Sequence, residues 1–392
     1  MRVIGMMSGT SFDAVDAAAA DLEVVDNTVR LRPLGMISQP YPAALRESLV
    51  ASLPPARTSM EQVCQLDTAV GQSFAELAGR ANRELCSGMA DLVVSHGQTV
   101  YHWTEGSQVL GTLQIGQPAW IAEDTGLPVV SDLRARDVAA GGQGAPLVSA
   151  LDVLWLRGRG CTSVALNLGG IANVTVVSPV REPVAFDTGP ANALIDAVVQ
   201  HATDGRLSYD VDGELGAGGH VRADLLGSLL ADPYYRRPAP KSTGKELFNL
   251  PYLDAVRSTL PAIDTRDLVA TLTALTARTV ADAVREVDAA EVIVAGGGTQ
   301  NPTLMGVLRA NLPDIPVLTA DQLGLPVSAK EAYAFAFLGF CTVSGLTSTV
   351  PACTGAGHAS VLGSLTPGRN GMPDFERVTQ NPTTLEVHGL RS

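Results

Sequence analysis

Val184-Ala185-Phe186 reads as a short buried strand and Ala193 to Val199 as an apolar-faced helix, and between them stands Asp187-Thr188-Gly189-Pro190. A lone carboxylate at the carboxyl end of a strand occupies the edge where α/β folds bind ligands, so Asp187 is a candidate general base. An Asp at that place also serves as an N-cap for the helix that follows; the residues alone leave both roles open. A second candidate is Ser8-Gly9-Thr10-Ser11-Phe12-Asp13-Ala14-Val15-Asp16. A turn of glycine and hydroxyl residues between paired strands exposes successive backbone N–H groups and makes an anion nest, for which phosphate is the natural guest. Asp13 and Asp16 would repel phosphate, so metal-bound water or structural hydrogen bonds are their roles there. The alternative is an ordinary hairpin.

Ser95-His96-Gly97-Gln98-Thr99 follows the apolar run Leu92-Val93-Val94. His96 and His102 lack the i, i+4 spacing of a helical zinc pair, so recognition of polar ligand groups by His96, Gln98 and Thr99 stands against a plain strand-end loop. Arg134 or Arg136 would suit an anionic group through a forked guanidinium, or pair with an aspartate of its own loop. Glu331 falls in Ser328-Ala329-Lys330-Glu331, whose S-x-x-E spacing is that of a capping box. In the second half, Asn167-Leu168-Gly169-Gly170 repeats the strand and glycine-turn plan of the first, and two such hairpins could hold a polyphosphate from opposite sides. Gly296-Gly297-Gly298 lets backbone approach a flat ligand closely. Pro240 to Lys245 resembles a P-loop superficially, but Ala239 and Glu246 stand where glycine and a hydroxyl are needed.

The elements that must position these residues follow from periodicity. Strands are expected at Val3 to Met7, Val15 to Leu22, Val29 to Ile37, Val129 to Ser131, Val164 to Leu168, Ile171 to Val177 and Val292 to Ala295. A helix from Ser59 to Leu85 carries Val63, Leu66, Val70, Phe74, Leu77 and Ala81 on one face, with Ser59 and Gln62 spaced as a capping box. Further helices are expected near Val221 to Leu230, at Asp267 to Val287, and over the apolar run Ala332 to Cys341. After Pro367 the chain reads as a loose tail.

At 392 residues, 46% hydrophobic and 17% charged, the chain can bury two cores. A net charge of −13 argues against nucleic acid and against an anionic membrane surface as partners. The lysines are Lys241, Lys245 and Lys330 among 27 basic residues. Five cysteines without a C-x-x-C pair suit a reducing cytosol, and a cytoplasmic location without membrane attachment is expected. No apolar run approaches the ~20 residues of a membrane span.

Together the motifs resemble the anhydro-N-acetylmuramic acid kinases, within the superfamily of actin-like ATPases and sugar kinases. The resemblance runs from Met7 to about Pro367. It is carried by Met7 to Ser11, Ser95 to Thr99, Asn167 to Asn173, Phe186 to Pro190, Pro240 to Glu246 and Gly296 to Gly298. Ala14 and Ala191 depart from the family's usual glycines, and alanine at a position needing φ > 0 would cost roughly 1–2 kcal/mol. The implied fold is α/β, with two ribonuclease-H-like domains flanking an ATP cleft. The expected division is residues 1–131 with about 345–367, residues 132–344, and a tail at 368–392. ATP and Mg²⁺ are the implied cofactors, a homodimer the implied assembly, and cell-wall recycling the implied context.

In the implied reaction, water opens the 1,6-anhydro ring of anhydro-N-acetylmuramic acid at the anomeric carbon while O6 takes the γ-phosphoryl group. Gly9, Thr10, Ser11, Phe12, Asp13, Ala14, Val15 and Asp16 would line the ATP phosphates, with Asp187 as the base for the water. Asn167, Gly169, Gly170, Gly296, Gly297 and Gly298 complete the expected nucleotide contacts. His96, Gln98, Thr99, Arg134 and Glu331 are the expected sugar contacts, and no set of protein metal ligands is expected. An ordinary hexose kinase and a non-catalytic actin-like ATP-binding module remain as alternatives on the same fold.

Overall fold

The computed structural model describes residues 1–9, 12–106 and 108–389. Its strands are β1 (Arg2–Ser8), β2 (Ala14–Val25), β3 (Thr28–Pro40), β4 (Leu92–Glu105), β5 (Gln108–Ile115), β6 (Val129–Ser131), β7 (Ser163–Leu168), β8 (Ile171–Val177), β9 (Val184–Pro190), β10 (Glu291–Ala295), β11 (Val317–Thr319), β12 (Ser364–Thr366) and β13 (Thr384–Val387). They form two sheets, and the chain divides into two compact units: Met1–Gly158 with Ala329–Ser392, and Arg159–Ser328.

In the first unit, β1, β2 and β3 form an antiparallel meander, while β4 and then β6 join the other side of β1 in parallel. The helix Met60–Cys86 covers one face with Leu66, Val70, Phe74, Leu77 and Ala81, as its periodicity predicts. The helix Lys330–Ser344 is buried nearly all round. Its close approach to the sheet depends on Gly5, where a Cβ would run into the Ala332 carbonyl and the Ala336 N–H. The alanines of β2, Ala17 to Ala20, are all fully buried.

The second unit repeats the plan. β7, β8 and β9 form a meander, and β10 then β11 add in parallel beyond β7. Both sheets thus share the order third, second, first, fourth, fifth strand, with only the second reversed, which is the ribonuclease-H-like arrangement. In this pattern the first, third, fourth and fifth strands all end at one edge. That common carboxyl edge is where each unit gathers its polar turns.

Several expectations change. Helices Ser149–Arg157 and Lys330–Ser344 belong to the first unit, so the compact units divide after Gly158 and after Ser328 rather than at 131/132 and 344/345. The tail is not loose: β13 pairs in parallel with β3, Leu385 is buried, and His388 N–H donates to the Leu31 carbonyl. A four-residue strand whose partner lies more than 350 positions away leaves no local signal. β4 continues through the stretch taken as its end loop, because β5 pairs with it as a hairpin. Ser59 accepts from Gln62 N–H, but the Gln62 side chain donates to Ser52, so only half of that capping box forms. No helix among the described residues is long and apolar enough to cross a membrane.

Candidate active site

The candidate residues fall into one group in each unit. In the second unit Asp187 lies inside β9, opposite Asn173 of β8. The strand runs on to Pro190, and the register slips between Ala172 and Asn173, a bulge that re-aims the side chains beside it. The helix Asn192–Ala202 starts beyond, and its first N–H groups are taken by other partners. Ala191 and Ala193 donate to the Gly170 carbonyl, and Asn192 donates to Gly169. Asp187 therefore does not cap that helix, and this correction follows from where the strand ends.

Instead Asp187 is held by a segment of the chain some fifty residues downstream. Its N–H donates to the Lys241 carbonyl at 2.9 Å, and Thr243 N–H donates to its Oδ2 at 2.9 Å. The Tyr234 hydroxyl donates to the Asp187 carbonyl at 2.7 Å. Burial pushes the carboxyl up to about 6; the Thr243 N–H pulls it down, and Glu246 pushes it up. A half-buried carboxylate with a pKa moved toward neutrality is what a general base requires. Asp196 is also pushed up to about 6, by burial and Asp210 against the pull of Lys245, but it lies on the helix and not on the strand edge.

The remaining second-unit candidates meet beside it. Asn167 ends β7 against β10, and a Cβ on Gly296 would collide with its side chain and approach the Leu168 carbonyl to 2.8 Å. A Cβ on Gly298 would lie 2.7 Å from Leu168 Cβ. Asn192 Nδ2 donates to that same Leu168 carbonyl. The Gly169-Gly170 turn and the Gly296 to Gly298 turn thus present adjacent backbone at one edge, with the Lys245 side chain over Gly170. Gly297 has open space around it. At Ala191 φ is −114°, so the departure from glycine carries no left-handed strain.

In the first unit, Gly9 opens the turn between β1 and β2; Thr10 and Ser11 lie outside the described residues. Phe12 N–H donates back to the Gly9 carbonyl with Phe12 in the left-handed region at φ 56°. The side chains of Phe12 and Val15 are in the hydrophobic core, so these residues can offer a ligand only backbone. Ala14 begins β2 opposite Pro40 and is extended. Asp13 is exposed and paired with Arg46. Asp16 is half-buried and its carboxyl is raised by that burial.

Gln98, expected to meet a ligand, is fully buried. Its Nε2 donates to the Gly9 carbonyl at 3.1 Å and its Oε1 accepts from Tyr41, so it braces the β1–β2 turn. Thr99 accepts from Gln114. His96 is buried against Phe335, with ring centroids 4.5 Å apart. Arg134 Nε donates to His96 Nε2 at 2.8 Å, which places the ring proton on Nδ1, facing the Gly97 carbonyl. Burial and the Arg134 charge hold this imidazole well below its ordinary pKa.

Two of the three Arg134 nitrogens are engaged within the protein, since Nη1 donates to the Gly144 carbonyl at 2.6 Å, and among the described residues no hydrogen bond involves Nη2. Burial lowers the guanidinium to about 10, against Glu331 and Asp137. Nor does Arg134 form the expected pair within its loop, since the Asp137 carboxylate accepts from Gly144 N–H and Thr354. Glu331 is no cap. The helix begins after Ala329 without a side-chain cap, and the Glu331 carboxyl is raised by burial against the pull of Arg134 and Lys330. Beside it, Lys330 and Asp152 form a buried ion pair at 2.7 Å, which no motif pointed to.

Among the described residues no group of three or more His, Cys, Asp or Glu could hold a metal ion.

The family profile described as anhydro-N-acetylmuramic acid kinase matches residues 1–368. The anhydro-N-acetylmuramic acid kinase of Rhodococcus erythropolis is 59% identical over 397 residues, covering 100% of both chains. That of Streptomyces avermitilis is 60% identical over 385 residues, covering 98% of this chain and 99% of its own. A more distant relative of the same description, from Caldanaerobacter subterraneus, is 38% identical over 382 residues and covers 93% and 96%. With the matched profile spanning nearly the whole chain and each of these relatives aligned almost end to end, this chain belongs to the anhydro-N-acetylmuramic acid kinase family.

Proposed function

We propose that the protein is an ATP-dependent anhydro-N-acetylmuramic acid kinase acting in cell-wall recycling, with Asp187 as its general base. Water attacks the anomeric carbon, and its proton passes to the Asp187 carboxylate. The bond from that carbon to O6 breaks, O6 bonds to the γ-phosphorus, and ADP leaves. The products are N-acetylmuramic acid 6-phosphate and ADP. The observation that carries this is Asp187 itself: a half-buried carboxylate on the edge strand β9, raised to about 6, with its Oδ2 held by the Thr243 N–H and its backbone held by Lys241 and Tyr234. Phosphoryl transfer is mainly positioning and charge stabilisation, so glycine turns suffice without a protein nucleophile. The Gly9 to Asp16 turn and the turns at Gly169-Gly170 and Gly296 to Gly298 are assigned to ATP; Thr99, Arg134 and Glu331 are assigned to the sugar, with His96 as the buried support of Arg134 and Gln98 as a brace of the first turn.

Mg²⁺ would come with the nucleotide, neutralising phosphate charge, and Asp16, half-buried in β2 just after the first turn, is the carboxylate assigned to it. A cytoplasmic homodimer is the assembly proposed. ADP release measured with anhydro-sugar, with glucose and without sugar separates this reaction from the hexose kinase and the non-catalytic module. Running it in ¹⁸O water should place the label on the anomeric oxygen; label in phosphate would mean simple ATP hydrolysis and would overturn the mechanism.

A further inference from the structure

The Pro240 to Lys245 stretch is the motif that neither a P-loop nor the nucleotide turns absorb. Two of its backbone groups meet Asp187: the Lys241 carbonyl takes the Asp187 N–H, and Thr243 N–H donates to Oδ2. Among the described residues no hydrogen-bond donor reaches Asp187 Oδ1. Lys241 in turn donates from Nζ to the Tyr235 carbonyl at 3.0 Å and the Tyr234 carbonyl at 3.5 Å, with the ammonium 5.1 Å from the centre of the Tyr234 ring. Tyr234 closes the circuit, since its hydroxyl donates to the Asp187 carbonyl. The result is a ring of contacts from Lys241 to the Tyr234–Tyr235 turn, to Asp187, and back through the 241–243 backbone.

We propose that the Lys241–Thr243 segment is the positioning element for the base: Thr243 N–H fixes Oδ2, which leaves Oδ1 as the atom that takes the proton, and Lys241 anchors the segment. This rests on Asp187 being the base. The element acts through the backbone at Thr243, so the side chain there matters less than the N–H. Lys241 matters through its ammonium, which must reach two carbonyls and a ring at once. Burial lowers its pKa, with Arg237 acting in the same direction and Glu286 opposing. The other groups facing Asp187 are Glu246, on the same stretch, and Tyr234.

The test is the pH profile of kcat/KM for the anhydro-sugar. Thr243→Pro removes the N–H, so the carboxylate loses its one stabilising donor and the acid limb should move up by about one pH unit. Thr243→Ala keeps the N–H and should leave that limb in place. Lys241→Met should lower kcat about 10–100-fold with the sugar KM changed less than about 2-fold, and move the limb the same way. Lys241→Arg should recover most of the loss. If Thr243→Pro does not fold, Lys241→Met carries the test. Limbs that overlay the wild type's in both variants, or an effect confined to KM, would overturn the proposal. Asp187→Asn distinguishes the two levels: if that variant keeps its activity, the base assignment has failed, whereas an inactive Asp187→Asn with unmoved limbs in the other variants sinks only the positioning role.

Discussion

Replacing Asp187 by asparagine should abolish activity while making the folded protein more stable at neutral pH. The carboxyl is raised from 3.8 to about 6, chiefly by burial. A folded-state pKa above the unfolded one means that the folded chain binds the proton more tightly. Stability from this group is therefore fully present below about pH 4 and lost as pH rises through 6. A shift of about two units at ~1.4 kcal/mol each makes the ionised side chain cost up to about 3 kcal/mol above that range. Solvent reaching the half-buried carboxylate reduces this to between about 1 and 3 kcal/mol. Asparagine keeps the shape and an acceptor for Thr243 without the charge. In a domain of this size, each kcal/mol moves the melting temperature by about 2–4 °C.

Thermal unfolding of wild type and Asp187→Asn at pH 8 should thus show the variant melting several degrees higher, the gap closing as pH falls from 6 toward 4. ADP release should meanwhile drop by ~10²–10⁴. The wild-type kcat/KM should fall below about pH 6, where Asp187 takes up its proton. A variant that melts lower by the same amount at both pH values, with activity retained in its folded fraction, would refute the reasoning and return Asp187 to a structural role. One that is stabilised yet fully active would leave the burial argument standing and remove the base.

Gly9→Val should fold, since a Cβ there meets nothing within 4 Å, but titration with ATP should show weakened binding because branching intrudes on the turn assigned to phosphate. Gly296→Ala should lower the melting temperature, because its φ of +89° and the 2.8 Å approach to the Leu168 carbonyl together cost at least ~1–2 kcal/mol, whereas Gly297→Ala should melt like wild type. The His96 imidazole should show no NMR titration between pH 5.5 and 8, since it is buried and accepts from Arg134; a midpoint near 6.5 would contradict that hydrogen bond. Lys330→Met should cost about 3–5 kcal/mol by stranding the buried Asp152 carboxylate, and an apolar residue at Asp152 in the same chain should recover most of it in denaturant unfolding.

What the sequence determined by itself was local. Strand, glycine turn and strand recur at Gly9 and at Gly169-Gly170, and the helix Met60–Cys86 shows its apolar face, because those patterns are set by neighbours a few positions apart. The candidate list was legible for the same reason: a carboxylate, a histidine and glycines each stand where a predicted strand nears its end. Tertiary structure decided what each of them does. Asp187 could not be told from a helix cap until the pairing of β9 with β8 carried the strand past it and Thr243, 56 residues away, supplied its donor. Arg134 looked free to grip an anion until folding set it against His96, 38 residues upstream. Gln98 looked like a ligand contact until complete burial turned it toward Gly9. In each case a side chain's charge, tautomer and free lone pairs are fixed by burial and by partners distant in sequence, and no spacing within the chain encodes those.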